Sequence, residues 1–352
     1  MHTQSNFRLL VVRLGSMGDI LHALPAVTAL RKAHPDWVID WVVEPHWRAL
    51  LAAEGSNDRS PAQPVVDHIH FAPTREWKKA PLSRKTIREI KILRNALRAG
   101  GYDAVLDLQG AIRSAVVGRM AGCRRLIGEA EPRERVARWL FTERVTTHGA
   151  HVIEQDVELA SAVAGDDLKF TKPWLPVDPA AESWAVEILR LSGAQAAVLI
   201  NPGAGWGAKR WPTERYAAVA QALIDRGLRV LINAGPGEEP LAEAIIDSAD
   251  AATVIACSLN QLIAITRRVA LVIAGDTGPL HLACALGRPV VGIYGPTDPS
   301  RNGPFGTRFK VLRSPESKRD HRRHEAPEAG LLTIQPEEVL RAADELLAEE
   351  NA

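Results

Sequence analysis

The chain has 352 residues, of which 46% are hydrophobic and 24% charged, a composition that fits two ordinary globular domains and excludes a disordered or fibrous protein. Its net charge of +1 argues against a nucleic-acid binder that depends on many phosphate contacts. The three cysteines lie far apart without a CxxC pair, so neither a disulfide framework nor a zinc site is expected. The apolar run from Leu9 to Val12 is too short for a secretory signal or a membrane span. We therefore expect a cytoplasmic protein that can still touch a membrane surface.

The first half of the chain alternates short apolar segments with helical ones. In chain order, the predicted strands are FRLLVVRL, WVIDWVVEP, DHIHFAP and YDAVLDLQG, each ending in polar or turn residues. The turn GSMGD follows the first strand and leads into a helix predicted to begin near Ile20. This alternation predicts a parallel sheet with helices on both faces.

A proline-rich linker is predicted from Phe170 to Pro179, after which the alternation restarts. The strands predicted beyond it are AAVLINPG, LRVLINAG, LVIAGDTG and PVVGIYGP. The prediction is therefore an α/β protein with two doubly wound, Rossmann-like domains, residues 1–172 and 180–335, and a final helix in 336–352 that packs back on the N-terminal domain. Because ligands bind at the carboxyl ends of parallel strands, we expect the site in a cleft that the two domains face.

Basic residues are concentrated between Arg75 and Arg98, with nine positive side chains against two negative ones. From Arg84 onward the apolar residues have helical spacing, so these charges are interpreted as a solvated helix face. The preceding REWKK contains Arg75, Lys78 and Lys79 and is predicted to be a loop. An anionic acceptor or anionic lipid headgroups are as compatible with it as plain solvent exposure.

The segment GDTGPLH, residues 275–281, follows a predicted strand and opens a helix. Thr277 and Gly278 can direct backbone N–H groups and the helix dipole at a phosphate, as helix N-termini commonly do. Asp276 suits sugar hydroxyls, and His281 can donate to a phosphate or sugar oxygen. A plain βα turn with a core histidine is the alternative, but the convergence of turn, dipole and polar side chains favours a diphosphate site.

Two further segments of the second half carry candidate donor-binding residues. NPGAGWGAKRWP places Lys209 in a glycine-rich loop after a strand, where a cation can neutralise a departing nucleoside diphosphate, although a solvated surface lysine is the alternative. GPGEE offers Glu239, and less readily Glu238, as a carboxylate for ribose hydroxyls. Both glutamates could equally be N-terminal helix charges.

Asp19, in the turn GSMGD, is the candidate general base. Its alternative role is that of a helix N-cap, which is common for aspartate at a βα junction. GSMGD is not GxGxxG, and the chain has no GxxxxGK[ST], so nicotinamide and P-loop chemistry are not supported.

Five segments together resemble glycosyltransferase family 9, the ADP-heptose:lipopolysaccharide heptosyltransferases, and most closely its type I enzymes. They are RLGSMGDILHALPAVTALRKAHP, YDAVLDLQGAIRSAVVGRMAG, HVIEQDVELA, NPGAGWGAKRWPTERYAAVAQAL and GDTGPLHLACALGRPVVGIYGPTDPSRNGPFG. The resemblance implies a GT-B fold and metal-independent inversion without a cofactor, with acceptor bound in the first domain and ADP-heptose in the second.

The resemblance also implies roles for individual residues. Asp19 resembles the catalytic base and Lys209 the cation on the phosphate side. The donor-binding residues it implies are Asp276, Thr277, Gly278, His281 and Glu239. The acceptor-binding residues it implies are Arg75, Lys78, Lys79, Arg113 and Arg133.

The implied acceptor is a Kdo residue of Kdo-lipid A at the inner leaflet. We therefore expect a monomeric peripheral protein at the cytoplasmic face of the inner membrane. Two alternatives stay open at this point. One is a type II enzyme that adds heptose to the first core heptose, since NPGA is common in those members; the other is a non-catalytic sugar-nucleotide-binding protein.

Overall fold

The computed structural model describes residues 6–190, 196–249, 251–320 and 324–349. The chain divides into two compact units, Met1–Val177 and Asp178–Ala352. The division lies inside the segment predicted as a linker. Each unit contains one six-stranded parallel sheet with helices between its strands.

The strands of the first unit are β1 (Arg8–Val12), β2 (Val38–Val43), β3 (His68–Phe71), β4 (Ala104–Asp107), β5 (Leu126–Glu129) and β6 (Glu143–Val145). The strands of the second unit are β7 (Ala197–Asn201), β8 (Arg229–Asn233), β9 (Thr253–Ile255), β10 (Leu271–Gly275), β11 (Val290–Tyr294) and β12 (Phe309–Arg313).

The helices of the first unit are α1 (Met17–Ala33), α2 (Thr74–Lys79), α3 (Arg84–Ala99), α4 (Ile112–Met120) and α5 (Val152–Ala164). The helices of the second unit are α6 (Pro179–Arg190), α7 (Thr213–Asp225), α8 (Glu239–Ile246), α9 (Leu259–Thr266), α10 (Gly278–Ala285), α11 (Pro299–Asn302) and α12 (Pro336–Ala348). Short 3-10 helices lie at Pro45–Leu50, Arg135–Trp139, Gly207–Lys209 and Leu331–Thr333.

The two sheets have the same doubly wound topology. The first has the order β3-β2-β1-β4-β5-β6 and the second β12-β11-β10-β7-β8-β9, and every neighbouring pair is parallel. The central strands β1, β4, β7, β10 and β11 are buried on both faces except at Arg8, as expected from their continuous apolar runs. All carboxyl ends of a sheet therefore meet at one edge, where a ligand site forms in such folds.

The structure confirms the eight predicted strands and corrects two predictions about helices. α1 begins at Met17 rather than near Ile20, so Asp19 lies within the first turn of the helix. REWKK is not a loop, because α2 covers Thr74–Lys79 and buries Trp77.

The packing of the final helix back on the N-terminal domain stays a prediction. The buried side chains of α12, Val339, Ala342, Ala343 and Leu346, belong to the core of the second unit, together with residues of β7, β8 and β10. The reason is the helical spacing of these apolar residues, which forms one stripe that the second sheet and α7 cover.

In the described part of the chain, no helix is both long and apolar enough to cross a membrane.

Candidate active site

Asp19 is held by its own helix and by a buried arginine. Its Oδ2 accepts hydrogen bonds from the backbone N–H of Ser16 at 2.8 Å and from the Ser16 hydroxyl at 3.0 Å. Its Oδ1 lies 3.1 Å from Nη2 of Arg13, and the side chain remains 36% exposed. The carboxylate is thus fixed on two sides and open to solvent on another. The alternative role as N-cap is wrong, because Ser16 is the N-cap of α1 and Asp19 is the third residue of the helix.

Charges around Asp19 keep it ionised. Partial burial opposes the charged form, but Arg13, the Ser16 hydrogen bonds and Arg133 outweigh it and hold the pKa of Asp19 below its ordinary value. At neutral pH the group is therefore a carboxylate that can accept a proton, although the low pKa makes it a weak base in isolation.

Two buried aspartates behind Asp19 were not singled out by the sequence. Burial raises the pKa of Asp107 to about 6 and that of Asp156 to about 7. Arg13 opposes the rise at Asp156, whereas the negative charges of Asp19 and Asp107 add to it. Arg13 is thus a buried cation that favours the charged form of three carboxyl groups, Asp19, Asp107 and Asp156. The only sequence signal for this role is the position of Arg13 at the end of an apolar strand.

Arg133 lies near Asp19, as its effect on the pKa of that residue shows. It sits in the loop after β5, where the turn after β4 supports it: the Glu134 N–H donates to Gly110 O at 2.9 Å. Gly110 has a φ of +62°, and a Cβ there would approach the backbone N of Arg133 to 3.1 Å, so glycine suits both the turn and the close packing. Arg113, exposed in the first turn of α4, belongs to the same edge of the sheet.

The other predicted acceptor residues lie on the opposite side of β1. Arg75, Lys78 and Lys79 are exposed on α2, which follows β3, the edge strand two positions from β1. Lys79 also forms an ion pair with Glu76 at 2.8 Å. Arg133 follows β5, which is two positions from β1 on the other side, so the two groups flank the strand that leads to Asp19.

In the second unit, Lys209, Asp276 and His281 form one buried cluster. The Lys209 ammonium donates to Asp276 Oδ2 and, at 3.3 Å, to the backbone carbonyl of Asp276. Nε2 of His281 lies 3.2 Å from Asp276 Oδ1. Burial opposes ionisation of Asp276, but His281 and Lys209 outweigh it and hold its pKa well below the ordinary value. Asp276 is therefore an anion that positions a cation beside the N-terminus of α10.

The glycine-rich loop before α7 brings Lys209 to this point. Its ammonium lies 4.3 Å from the ring centre of Trp206, a cation–π contact. Gly207 permits the chain around Glu325 to cross the loop, since a Cβ at Gly207 would meet the Glu325 carbonyl oxygen at 1.5 Å. The Ala208 N–H donates to the His324 carbonyl at 3.0 Å and closes this crossing.

Thr277 is the N-cap of α10 and Gly278 its first residue. The first N–H groups of a helix have no partner within it, so this turn presents donors and the positive end of the dipole beside Lys209. The structure thus gathers Lys209, Asp276 and His281 at the start of α10, and their role in binding a diphosphate stays a prediction.

Glu238, rather than Glu239, is directed toward the strand ends. Glu238 is the residue before α8, and its Oε2 accepts the Gly235 N–H at 3.1 Å. Its carboxylate also lies where a Cβ on Gly203 would be, so it reaches the loop after β7. Glu239 is exposed. The choice of Glu239 for the ribose stays a prediction, and Glu238 has the better placement.

Tyr294 and Asn201 are further polar groups at this edge that the sequence reasoning passed over. Each ends a strand, β11 and β7 respectively, and is buried. Among the described residues, the Tyr294 hydroxyl and Asn201 Nδ2 have no hydrogen-bond partner. Burial and the nearby charge of Asp276 raise the pKa of Tyr294. The polar ends of the segments YGPTDP and NPGA were the available signal.

Comparison with known proteins identifies the family. The family model described as glycosyltransferase family 9 (heptosyltransferase) matches residues 90–331. Lipopolysaccharide heptosyltransferase 1 of Escherichia coli K12 is 31% identical over 320 residues, which cover 88% of this chain and 94% of that protein. The chain belongs to glycosyltransferase family 9. It is therefore a glycosyltransferase of the heptosyltransferase type, as the sequence motifs predicted.

Solved structures confirm the fold of this family 9 member. E. coli heptosyltransferase WaaC with ADP is 28% identical with a TM-score of 0.78, over 98% of this chain and all 100% of that one. E. coli ADP-heptose lipopolysaccharide heptosyltransferase II is 25% identical with the same TM-score of 0.78 and the same coverage, 98% and 100%. The predicted GT-B class, two Rossmann-like α/β domains with parallel sheets, is thus confirmed.

Proposed function

We propose that this heptosyltransferase transfers heptose from ADP-heptose to a Kdo residue of Kdo-lipid A in the lipopolysaccharide inner core. The observation that carries the proposal is the buried Lys209, Asp276 and His281 cluster at the N-terminus of α10, a site built for a nucleoside diphosphate. The relative that is 31% identical is named for the type I reaction. A WaaC structure that is 28% identical contains ADP-2-deoxy-2-fluoro heptose, which supports the choice of donor.

The proposed reaction is a single displacement at the anomeric carbon. Asp19 takes the proton of the acceptor hydroxyl, whose oxygen forms the new bond to the anomeric carbon. The bond from that carbon to the diphosphate oxygen breaks, and ADP leaves with the electron pair. Lys209 and the amides of the first turn of α10 neutralise the charge that develops on the leaving diphosphate. One displacement inverts the configuration.

The acceptor side is proposed on charge. The positive side chains of Arg133 and Arg113 on one side of β1, and of Arg75, Lys78 and Lys79 on the other, lie at the same edge as Asp19. Kdo carboxylates and lipid A phosphates complement them. The acceptor is a membrane lipid, so the proposal includes peripheral contact of a monomeric enzyme with the cytoplasmic face of the inner membrane.

Transfer assays on two acceptors test the proposed position. The enzyme is given ADP-heptose with either Kdo-lipid A or the same lipid that already carries the first heptose, and products are separated by mass. We expect product on the first acceptor only. Product on the second acceptor only would assign a type II reaction, and product on neither would overturn the proposal.

Calorimetric titration with ADP-heptose, a UDP-sugar and a GDP-sugar tests the donor. Tighter binding of the UDP-sugar or the GDP-sugar would contradict ADP-heptose as the donor.

A further inference from the structure

A patch of the first unit exposes large apolar side chains beside arginines. It comprises α4 and the 3-10 helix Arg135–Trp139, which packs beside it. Trp139 is 67% exposed, Val136 60%, Val116 43% and Ile112 40%. We call this the Trp139 surface and define it by Ile112, Val116, Val136, Arg138, Trp139 and Arg144.

The patch has a fixed structure rather than being a loose loop. The Glu134 carboxylate accepts the Ile112 N–H at 2.8 Å and so caps α4 from the segment that carries Trp139. Ala137, between the exposed Val136 and Trp139, is buried in the core of the unit. Their neighbours therefore hold the exposed apolar side chains outward. Folding of the unit does not explain this exposure, and a contiguous exposed apolar patch is typical of an interaction surface.

Two guanidinium groups lie close to the ring of Trp139. The Arg138 and Arg144 guanidinium carbons are 5.1 Å and 5.3 Å from the centre of its ring, and Arg144 Nε donates to the Arg138 carbonyl at 2.9 Å. An indole with an apolar body and an N–H prefers the boundary between lipid and water, and arginine binds phosphate in two-pronged geometry. The group thus combines both means of attachment to a bilayer surface.

The surrounding charge favours an anionic partner. Residues 113–144 contain eight arginines and four glutamates, with no lysine or aspartate. Three of these glutamates are engaged: Glu134 with the Ile112 N–H, Glu143 with Arg125, and Glu129 with the Thr147 hydroxyl. The net excess of four positive charges, eight arginines less four glutamates, complements negatively charged headgroups.

We propose that the Trp139 surface docks the enzyme on an anionic lipid bilayer, with Trp139 and Val136 in the headgroup region and Arg138 and Arg144 on lipid phosphates. The surface belongs to the loop after β5 that also carries Arg133, so docking delivers a lipid-anchored acceptor to the edge of the sheet where Asp19 lies. In this last respect the inference rests on the proposed function, whereas docking itself does not.

Vesicle sedimentation without donor or acceptor tests docking. The full chain is mixed with phosphatidylcholine vesicles that contain or lack phosphatidylglycerol. We expect binding to the anionic vesicles that high salt weakens, and a loss on the order of tenfold for the double variant Val136→Ser, Trp139→Ser. Trp174→Ser is the matched control, because this exposed tryptophan of the same unit lies outside the Trp139 surface, and it should bind like the wild type. Equal binding by the double variant, or none by the wild type, would overturn the proposal.

Two further measurements separate the other outcomes. Quenching of tryptophan fluorescence by brominated lipid should fall in Trp139→Phe and persist in Trp174→Phe; the reverse would place the contact elsewhere and overturn the assignment.

Light scattering checks whether a second copy of the chain occupies the surface instead. A wild-type dimer that dissociates in the double variant would contradict lipid docking. Transfer to a deacylated, water-soluble acceptor should be unchanged in the double variant. Loss of transfer by the wild type on every acceptor, with vesicle binding intact, would instead refute only the proposed function.

Discussion

At the scale of single residues, the pairing of Lys209 with Asp276 explains how a cation is kept in place before donor binds. The ammonium lies over the ring of Trp206 and is anchored by a carboxylate that its surroundings keep ionised. A diphosphate that approaches α10 thus meets a positioned positive charge rather than a mobile surface lysine. Preorganisation of this kind is the main source of electrostatic catalysis.

Lys209→Met removes the charge and keeps most of the side-chain volume. We expect kcat to fall by roughly 10²- to 10³-fold, because the leaving diphosphate loses its cation. Arg210→Met is the matched control: Arg210 is the next residue, is exposed and lies outside the cluster, so its loss should change kcat little. Steady-state kinetics with ADP-heptose measure both, and similar kcat values for the two variants would refute the role of Lys209.

Glu238 and Glu239 provide a second matched pair. Glu238→Gln should raise the Kd for ADP by roughly tenfold, since a charge-assisted hydrogen bond to a ribose hydroxyl would be weakened. Glu239→Gln should bind ADP like the wild type, because this side chain is exposed at the start of α8. Calorimetric titration measures both Kd values. A larger loss of ADP affinity in Glu239→Gln would support Glu239 as the ribose ligand, as predicted from sequence.

At the scale of elements, α5 places a buried carboxylic acid, Asp156, behind the helix that contains Asp19. α5 packs against α1, the helix of Asp19, and its Asp156 is buried with no partner for Oδ2 among the described residues. Burial raises its folded-state pKa from the ordinary 3.8 to about 7, so the native state binds the proton more tightly than the unfolded one. Stability is therefore lost as pH rises between these values.

Asp156→Asn should remove this pH dependence. We expect the variant to gain stability over the wild type as the pH rises. The difference between their free energies of unfolding should grow by about 2 kcal/mol from pH 5 to pH 8. Asp58→Asn, at an exposed position, should show no such difference between the two pH values. Urea unfolding followed by fluorescence provides the measurement, and an advantage of Asp156→Asn that shrinks with rising pH would have the wrong sign.

Elements with regularly recurring apolar residues could be predicted from sequence, because that spacing marks the side chains that become buried. The strands around Leu10 and Ile273 have continuous apolar runs, and α3 shows helical spacing of its apolar residues. The missed strands β5, β6, β9 and β12 have only three to five residues, and three of them carry a charged side chain. Their pairing with longer neighbours forms them, which no local pattern reveals.

At the scale of the whole molecule, each unit has its own core, and α12 closes the core of the second one. Leu346→Ala should destabilise that unit by about 2 to 4 kcal/mol, because the residue is fully enclosed and its loss leaves a cavity. Leu332→Ala, at a partly exposed leucine of the same unit, should cost less than about 1 kcal/mol. Thermal unfolding compares them, and equal costs would contradict the place of α12 in this core.

The site could be predicted from sequence only in part. Motifs at strand ends predicted Asp19, Lys209 and the GDTG turn as site residues, since a parallel sheet brings all such ends to one edge. The contacts could not be read in the same way. Lys209 and Asp276 are 67 residues apart. Likewise, the buried group of Arg13, Asp107 and Asp156 arises from three elements that only the folded sheet brings together.

The measurement that tests the central claim most directly is transfer by Asp19→Asn with ADP-heptose at saturation. Asparagine can still accept the Ser16 hydrogen bonds that hold the start of α1, but it cannot take a proton. The account predicts a fall of roughly 10²- to 10⁴-fold in the single-turnover rate with an unchanged Kd for ADP-heptose. A variant that transfers heptose at near wild-type rate would contradict Asp19 as the base.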